Sequence, residues 1–167
     1  DRAIKAGNYE IAAGTTLPQL LDKLTQGDVT QVSFTVVEGS TYTELLAQLA
    51  ANPDVVSPAG PLSPAEAARL LGVGGEVPEG WFFPDTYFFA SGASQAALLR
   101  RGYEVMRHRL DAAWRTRAPD LPLKDSYEAL ILASIIEKET GRAADRPLVA
   151  SVFVNRLRIG MRLQTDP

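Results

Sequence analysis

The sequence predicts an α+β fold, a small βα repeat followed by a mainly helical half. Three observations carry that expectation. A strand–turn–helix pattern occurs twice before residue 53, apolar residues recur at helical spacing after residue 94, and a Pro-, Ser- and Gly-rich stretch lies between. With 167 residues, 46% of them hydrophobic and 22% charged, the chain can bury a core of one domain, or of one domain with a small appendage.

The repeat aligns YEIAAGTTLPQLLDKLTQG (residues 9–27) with FTVVEGSTYTELLAQLAAN (residues 34–52) at an offset of 25. Gly14 matches Gly39, Thr16 matches Thr41, and Leu20, Leu21 and Leu24 match Leu45, Leu46 and Leu49. Each copy reads as a short strand, a Gly turn, a Thr able to cap, and an amphipathic helix. In the first copy Leu17, Leu20, Leu21 and Leu24 fall on one helical stripe. Two copies are too few for a solenoid.

Residues 52–66 (NPDVVSPAGPLSPAE) read as a linker or long loop. Ser63 and Pro64 open a short helix that runs to Leu71, where Gly72, Gly74 and Gly75 stop it. EGWFFPDTYFFA (residues 79–90) is the most aromatic stretch, and Pro84 bars a regular central strand through it. Its aromatics suit core packing between the two halves, or the wall of a carbohydrate groove. Helices are expected over residues 94–118, ended by Pro119, over residues 126–140, and over residues 145–159, with Pro147 in the first turn and Gly160 at the end.

Charge and composition exclude several functions. A net charge of −3 argues against a nucleic-acid partner, although Arg100–Arg117 forms a local basic patch. No cysteine is present, so neither a disulfide framework nor a Cys-based zinc site can exist. One histidine, His108, among arginines reads as a solvated helix residue and rules out a His-rich metal site. No stretch is apolar for long enough to span a bilayer, and no signal peptide is visible. The chain opens Asp1-Arg2 without Met and closes on Thr165-Asp166-Pro167, so a fragment is expected.

The candidate chemistry sits in SIIEKET (residues 134–140). It follows the run Ala129–Ala133, so the helix is expected to be apolar all round and buried. Leu130, Ala133 and Glu137 share a side, whereas Glu139 lies about 200° from Glu137 at roughly 100° per residue. One carboxylate therefore faces inward and the other outward, and Glu137 is the inner one. A carboxyl held against apolar surface has its pKa raised by desolvation, which suits a general acid at neutral pH. The plainer reading is a structural ion pair with an arginine such as Arg156 or Arg142.

In the next helix Leu148, Val149, Val152, Phe153 and Leu157 form the apolar stripe, and Asn155 and Arg156 stand beside it. An Asn there either serves the helix or meets a ligand, since its amide both donates and accepts. Gln164, Thr165 and Asp166 form a polar run after the Gly160 stop, which reads as a solvated loop on period alone.

ASIIEKETGRAADRPLVASVFVNRLRIGMRLQTDP (residues 133–167) resembles the signature region of the MltG (YceG-like) endolytic murein transglycosylases of bacteria. That pattern runs A-S-I-[IV]-E-K-E-T, then V-A-x-V-F-x-N-R-L, then M-x-L-Q-[TS]-D-P, and all three pieces stand here in order. Pro84-Asp85-Thr86, and Val37-Glu38-Gly39 before a helix, also look like the family. The resemblance implies a LysM-like module over residues 1–52, a linker and short helix over 53–78, and the N-terminal part of a transglycosylase catalytic domain over 79–167. The family's domain continues past QTDP, so the C-terminal part is expected to be missing here.

The resemblance further implies cleavage of the MurNAc-β-1,4-GlcNAc bond without water, leaving 1,6-anhydro-MurNAc ends. Glu137 takes the place of the family's catalytic glutamate. Asn155, Gln164, Asp166, Glu139 and Arg156 would be substrate-binding, and no metal or organic cofactor is needed. Peptidoglycan strands are the implied partner, with cell-wall synthases as further ones. The family is anchored in the inner membrane by one N-terminal helix, absent from this chain, and works in the periplasm. Two rival readings stay open at this point: a water-using muramidase with Asp166 as base, and a non-catalytic peptidoglycan-binding module.

Overall fold

The computed structural model describes residues 3–5, 7–57, 60, 62–73 and 79–164. Helix α1 (Leu17–Gln26) precedes strand β1 (Gln31–Thr35) and helix α2 (Tyr42–Ala51); then come β2 (Val55–Val56), α3 (Pro64–Leu71), β3 (Thr86–Ala90) and β4 (Ala93–Ser94). The helical half is α4 (Gln95–Arg115), α5 (Ser126–Glu139) and α6 (Arg146–Arg158). The mixture of helix and strand is the α+β class expected. Among the described residues, no helix is long and apolar enough to cross a membrane.

Local chemistry sets most boundaries. Thr41 caps α2: its hydroxyl accepts from the Glu44 N–H at 3.2 Å, while the Glu44 carboxylate accepts the Thr41 N–H at 2.7 Å. Ser63 and Glu66 repeat that reciprocal box on α3, and Gly72 leaves the helix at φ 71°. Ser94 caps α4 through the Ala97 N–H, and Asp125 caps α5 through the Glu128 N–H.

The two copies of the repeat part company in the structure. The second has its strand and helix. In the first, α1 forms with Thr16 and Pro18 at its start, but the described residues of 7–13 form no strand. A strand needs a ladder of partners for its backbone groups: β1 finds one in β3, whereas beside residues 7–13 the Thr30 N–H meets the Asn8 carbonyl at 2.8 Å without a strand forming. The leucine stripes differ likewise. Leu45, Leu46 and Leu49 are buried, but Leu17 is 78% exposed and Leu21 is also exposed.

β1 and β3 pair antiparallel in the register Gln31↔Ala90 through Thr35↔Thr86, and the Val36 N–H extends the ladder to the Asp85 carbonyl at 3.0 Å. Alternation along both strands sends Phe34, Tyr87 and Phe89 into one core with Leu45, Leu49, Phe82, Leu98 and Leu99. Pro84 stands just before β3, so the aromatic stretch is loop first and strand second. β2, inside what reads in sequence as linker, pairs parallel with β4 over two residues. The core thus draws on the second repeat copy, on α3 through Ala67, and on the helical half.

Two expectations about the helices need correction. α5 is not buried all round: Leu132 is its one buried residue, and Ile131 is exposed. One flank packs on α4 and α6, and the other is left open as the wall of a cleft. In α6 only Phe153 of the expected stripe is buried, while Leu148 and Val152 face outward.

Leu49, 1% exposed, fills the centre of this core. Leu49→Ala is expected to cost about 2–5 kcal/mol in urea unfolding, and Leu17→Ala no more than about 0.5 kcal/mol. Comparable losses would show that α1 is packed as α2 is.

Burial pushes both the Tyr42 and Tyr87 hydroxyls up to about 12, with the charge of Glu66 adding at Tyr42 and that of Asp85 at Tyr87. These folded-state values lie above the ordinary 10, so the unfolded chain loses its phenolic protons first. Stability is expected to be unaffected by these groups below pH 10 and to fall as the pH climbs from 10 to 12. Urea titrations across that range check it; a Tyr42→Phe variant should show a shallower fall.

Candidate active site

Between the β1–α2 turn and α5 lies a cleft of about 510 Å³. One wall is the segment Val36–Tyr42 with Leu45. The other is one face of α5, from Tyr127 through Leu130, Ile131 and Ser134 to Glu137 and Lys138. Glu79, Gly80, Phe82 and Pro84 close one side, with Met106 of α4 beneath. An apolar floor with a few convergent polar groups is the usual character of a small-ligand site.

The β1–α2 wall is built by the sequence VVEGS. Ser40 donates its N–H to the Val37 carbonyl at 3.3 Å, and Gly39 turns the chain at φ 72°, a conformation that favours glycine. Lys138 crosses from α5 and donates to the Gly39 carbonyl at 2.7 Å. Its charge also reaches Glu44, whose carboxyl is held below the ordinary value chiefly by the Thr41 backbone N–H, then by the Thr41 hydroxyl. At the start of α2 the Tyr42 N–H, left over by the helix, is met by both Glu79 oxygens at 3.0 and 3.1 Å.

Glu137 stands in the last turn of α5 with its side chain 31% exposed, half in the cleft wall and half open. Its carboxylate is met by Arg146, the first residue of α6, whose Nη2 lies 3.1 Å from one oxygen and 3.3 Å from the other. The inward carboxyl is therefore paired, but with an arginine that the sequence reasoning did not name. Arg142 pairs instead with Asp145 at 3.6 Å. Arg156 donates to the Leu163 and Gln164 carbonyls and lies over the Phe153 ring, 5.9 Å from its centroid.

The other expected site residues fall elsewhere. Glu139 is exposed beyond the cleft, as its angular offset from Glu137 requires. Asn155 is exposed on α6, and Gln164 is exposed beyond α6 with φ 33°, held there by the Arg156 contact. None of these lines the cleft with Glu137. Asp166 lies outside the described residues.

The residues that sequence reasoning missed are Lys138, Arg146 and Glu79. Lys138 was in view inside SIIEKET, but nothing local says that it reaches a turn 99 positions away. Arg146 becomes visible only because Thr140 ends α5 and the chain turns back into α6.

A family model described as the YceG-like family matches residues 1–167. The chain belongs to the YceG-like family. An endolytic murein transglycosylase of Bacillus subtilis (strain 168) is 28% identical over 183 aligned residues, covering 98% of this chain and 50% of that protein. One of Streptococcus pneumoniae serotype 2 is 34% identical over 89 residues, which covers 53% of this chain and 16% of that protein. The crystal structure of a yceG-like protein from Listeria monocytogenes superposes with a TM-score of 0.59 at 24% identity, over 98% of this chain and 60% of that one. That likeness establishes a shared YceG-like fold. The chain spans about half the length of the Bacillus relative it matches.

Lys138 is the one side-chain hydrogen bond across the cleft from α5 to the Val37–Ser40 turn among the described residues. In a Lys138→Met variant, amide exchange at Gly39 and Ser40 is expected to rise about fivefold, as the loss of a partly exposed charged hydrogen bond worth about 1 kcal/mol implies. The α5 amides should hold. Unchanged exchange at the turn would mean that the strut carries no load.

Proposed function

We propose that this chain carries the acid/base half-site of an endolytic peptidoglycan lytic transglycosylase, with Glu137 as its single acid/base. The observation that carries the reading is Glu137 itself: a glutamate in the last turn of α5, set in a cleft wall and paired with Arg146, in a chain of the YceG-like family. Two relatives that match it are named endolytic murein transglycosylases.

The reaction begins with Glu137 protonated. Its proton passes to the glycosidic oxygen between MurNAc and GlcNAc as the bond from that oxygen to C1 of MurNAc breaks. The C6 hydroxyl of the same MurNAc attacks C1, and its proton goes to the Glu137 carboxylate. The products are a free GlcNAc 4-hydroxyl and a 1,6-anhydro-MurNAc end, with no water consumed. An ordinary glycosidase uses two carboxyls; here the tethered hydroxyl supplies the nucleophile, and its effective concentration replaces the second carboxylate. Arg146 steadies the charge on Glu137 between the two proton transfers.

Asn155, Gln164, Glu139 and Arg156, together with Asp166, which lies outside the described residues, are the substrate-binding residues of this reading and meet the N-acetyl groups of the strand. Support for the role of Arg156 and Gln164 is the pair of hydrogen bonds that Arg156 donates to the Leu163 and Gln164 carbonyls, which hold the segment 163–164 against α6. Residues 1–52 act as a LysM-like glycan-holding module, 53–78 as linker and short helix, and 79–167 as the start of the catalytic domain. The whole protein works on the periplasmic face of the inner membrane, on peptidoglycan strands and beside cell-wall synthases.

Purified peptidoglycan treated with the protein is expected to yield glycan ends lighter by one water than muramidase products. Glu137→Gln should lower the rate by at least about 10²-fold with folding intact. Hydrated ends would replace this reading with a muramidase using Asp166 as base. Binding without cleavage would replace it with a binding module.

A further inference from the structure

The cleft has a second built feature, at the opposite end of α5 from Glu137. Tyr127 lies in the first turn of that helix and lines the cleft, with 41% of its surface exposed. Its ring is stacked on Trp81, with centroids 5.7 Å apart and planes 6° from parallel. Trp81 is backed in turn by Tyr103 of α4, 5.5 Å away and tilted by 45°. One face of Tyr127 is therefore fixed by a second aromatic that α4 holds in place, and the ring cannot fold down without breaking the stack.

Resting on the transglycosylase reading, we propose that Tyr127, backed by Trp81, is a saccharide-stacking platform for a sugar remote from the bond cut at Glu137. Sugar rings present flat C–H faces that pack on aromatic rings, and Tyr adds a hydroxyl at the rim. Ten residues separate Tyr127 from Glu137 along one helix, a span of about 15 Å. That distance suits a short oligosaccharide and exceeds a single ring. Polar groups stand along it for hydroxyls and N-acetyl groups: Ser134 on α5, and Glu79 and Glu38 on the facing side. The occupant is thus a β-1,4-linked N-acetylhexosamine oligomer lying along α5, and Tyr127 selects for its length.

Calorimetric titration with N-acetylglucosamine oligomers of two to six units tests the platform in the chain as it stands. With Tyr127→Ala, affinity for the longer oligomers is expected to fall about five- to tenfold, the usual worth of one aromatic contact. The disaccharide should bind as before. Tyr127→Phe should restore most of the loss on the long oligomers, which a merely structural role at the helix start would not predict to depend on ligand length. Equal losses at every length, or no loss at any length, would overturn the platform and leave the transglycosylase reading standing. Failure of the unaltered chain to bind any oligomer would overturn both.

Discussion

The pairing of β1 with β3 is the interaction on which the rest depends. It joins residues 31–35 to residues 86–90 and so closes a long loop of chain, at an entropic cost that the buried faces of Phe34, Tyr87 and Phe89 must offset. Once that register is fixed, the turn after β1 has one position available, opposite α5. The side-chain hydrogen bond between Thr35 and Thr86, 2.9 Å, and the Val36–Asp85 backbone bond pin the end of the ladder nearest the cleft. The wall carrying Gly39 is thus set by a sheet, whereas the wall carrying Glu137 is set by helix packing.

That division explains why α5 is so apolar and yet half open. Its rear must pack on α4 and α6 to be held at all, and its front supplies the apolar side of a cleft. A carboxylate at the end of such a helix needs a counter-charge, and Arg146 provides it from the start of α6 across a short connection. Neither residue is deeply buried, so the pair's value lies in orientation more than in stability. Lys138, the next residue along, turns away from Glu137 and ties the two walls together.

Much of the scaffold was legible in the sequence because its signals are local. The cap residues Thr41 and Ser63, the prolines in the first turns of α3 and α6, and Gly72 and Gly160 after helix ends all mark boundaries that the structure keeps within a few residues. The family resemblance was legible for the same reason, since its motifs are contiguous. What stayed hidden depends on partners far along the chain. The repeat promised two equal units, but burial of Leu45, Leu46 and Leu49 and exposure of Leu17 and Leu21 follow from which copy meets β3. Apolar composition predicted a buried α5 because composition does not reveal that one face borders a cleft. Periodicity placed Glu137 inward and Glu139 outward, yet could not name Arg146 as the partner.

The central claim is that the cleft between the Val37–Ser40 turn and α5 is where glycan meets Glu137. The most direct measurement is a backbone and side-chain NMR titration of the chain with an N-acetylglucosamine hexamer. The account predicts that resonances of Glu137, Ser134, Gly39 and Tyr127 move together along a single binding curve. Shifts confined to residues 9–27, with Gly39 and the α5 face of the cleft silent, would contradict it and leave the first repeat copy as the glycan-holding surface.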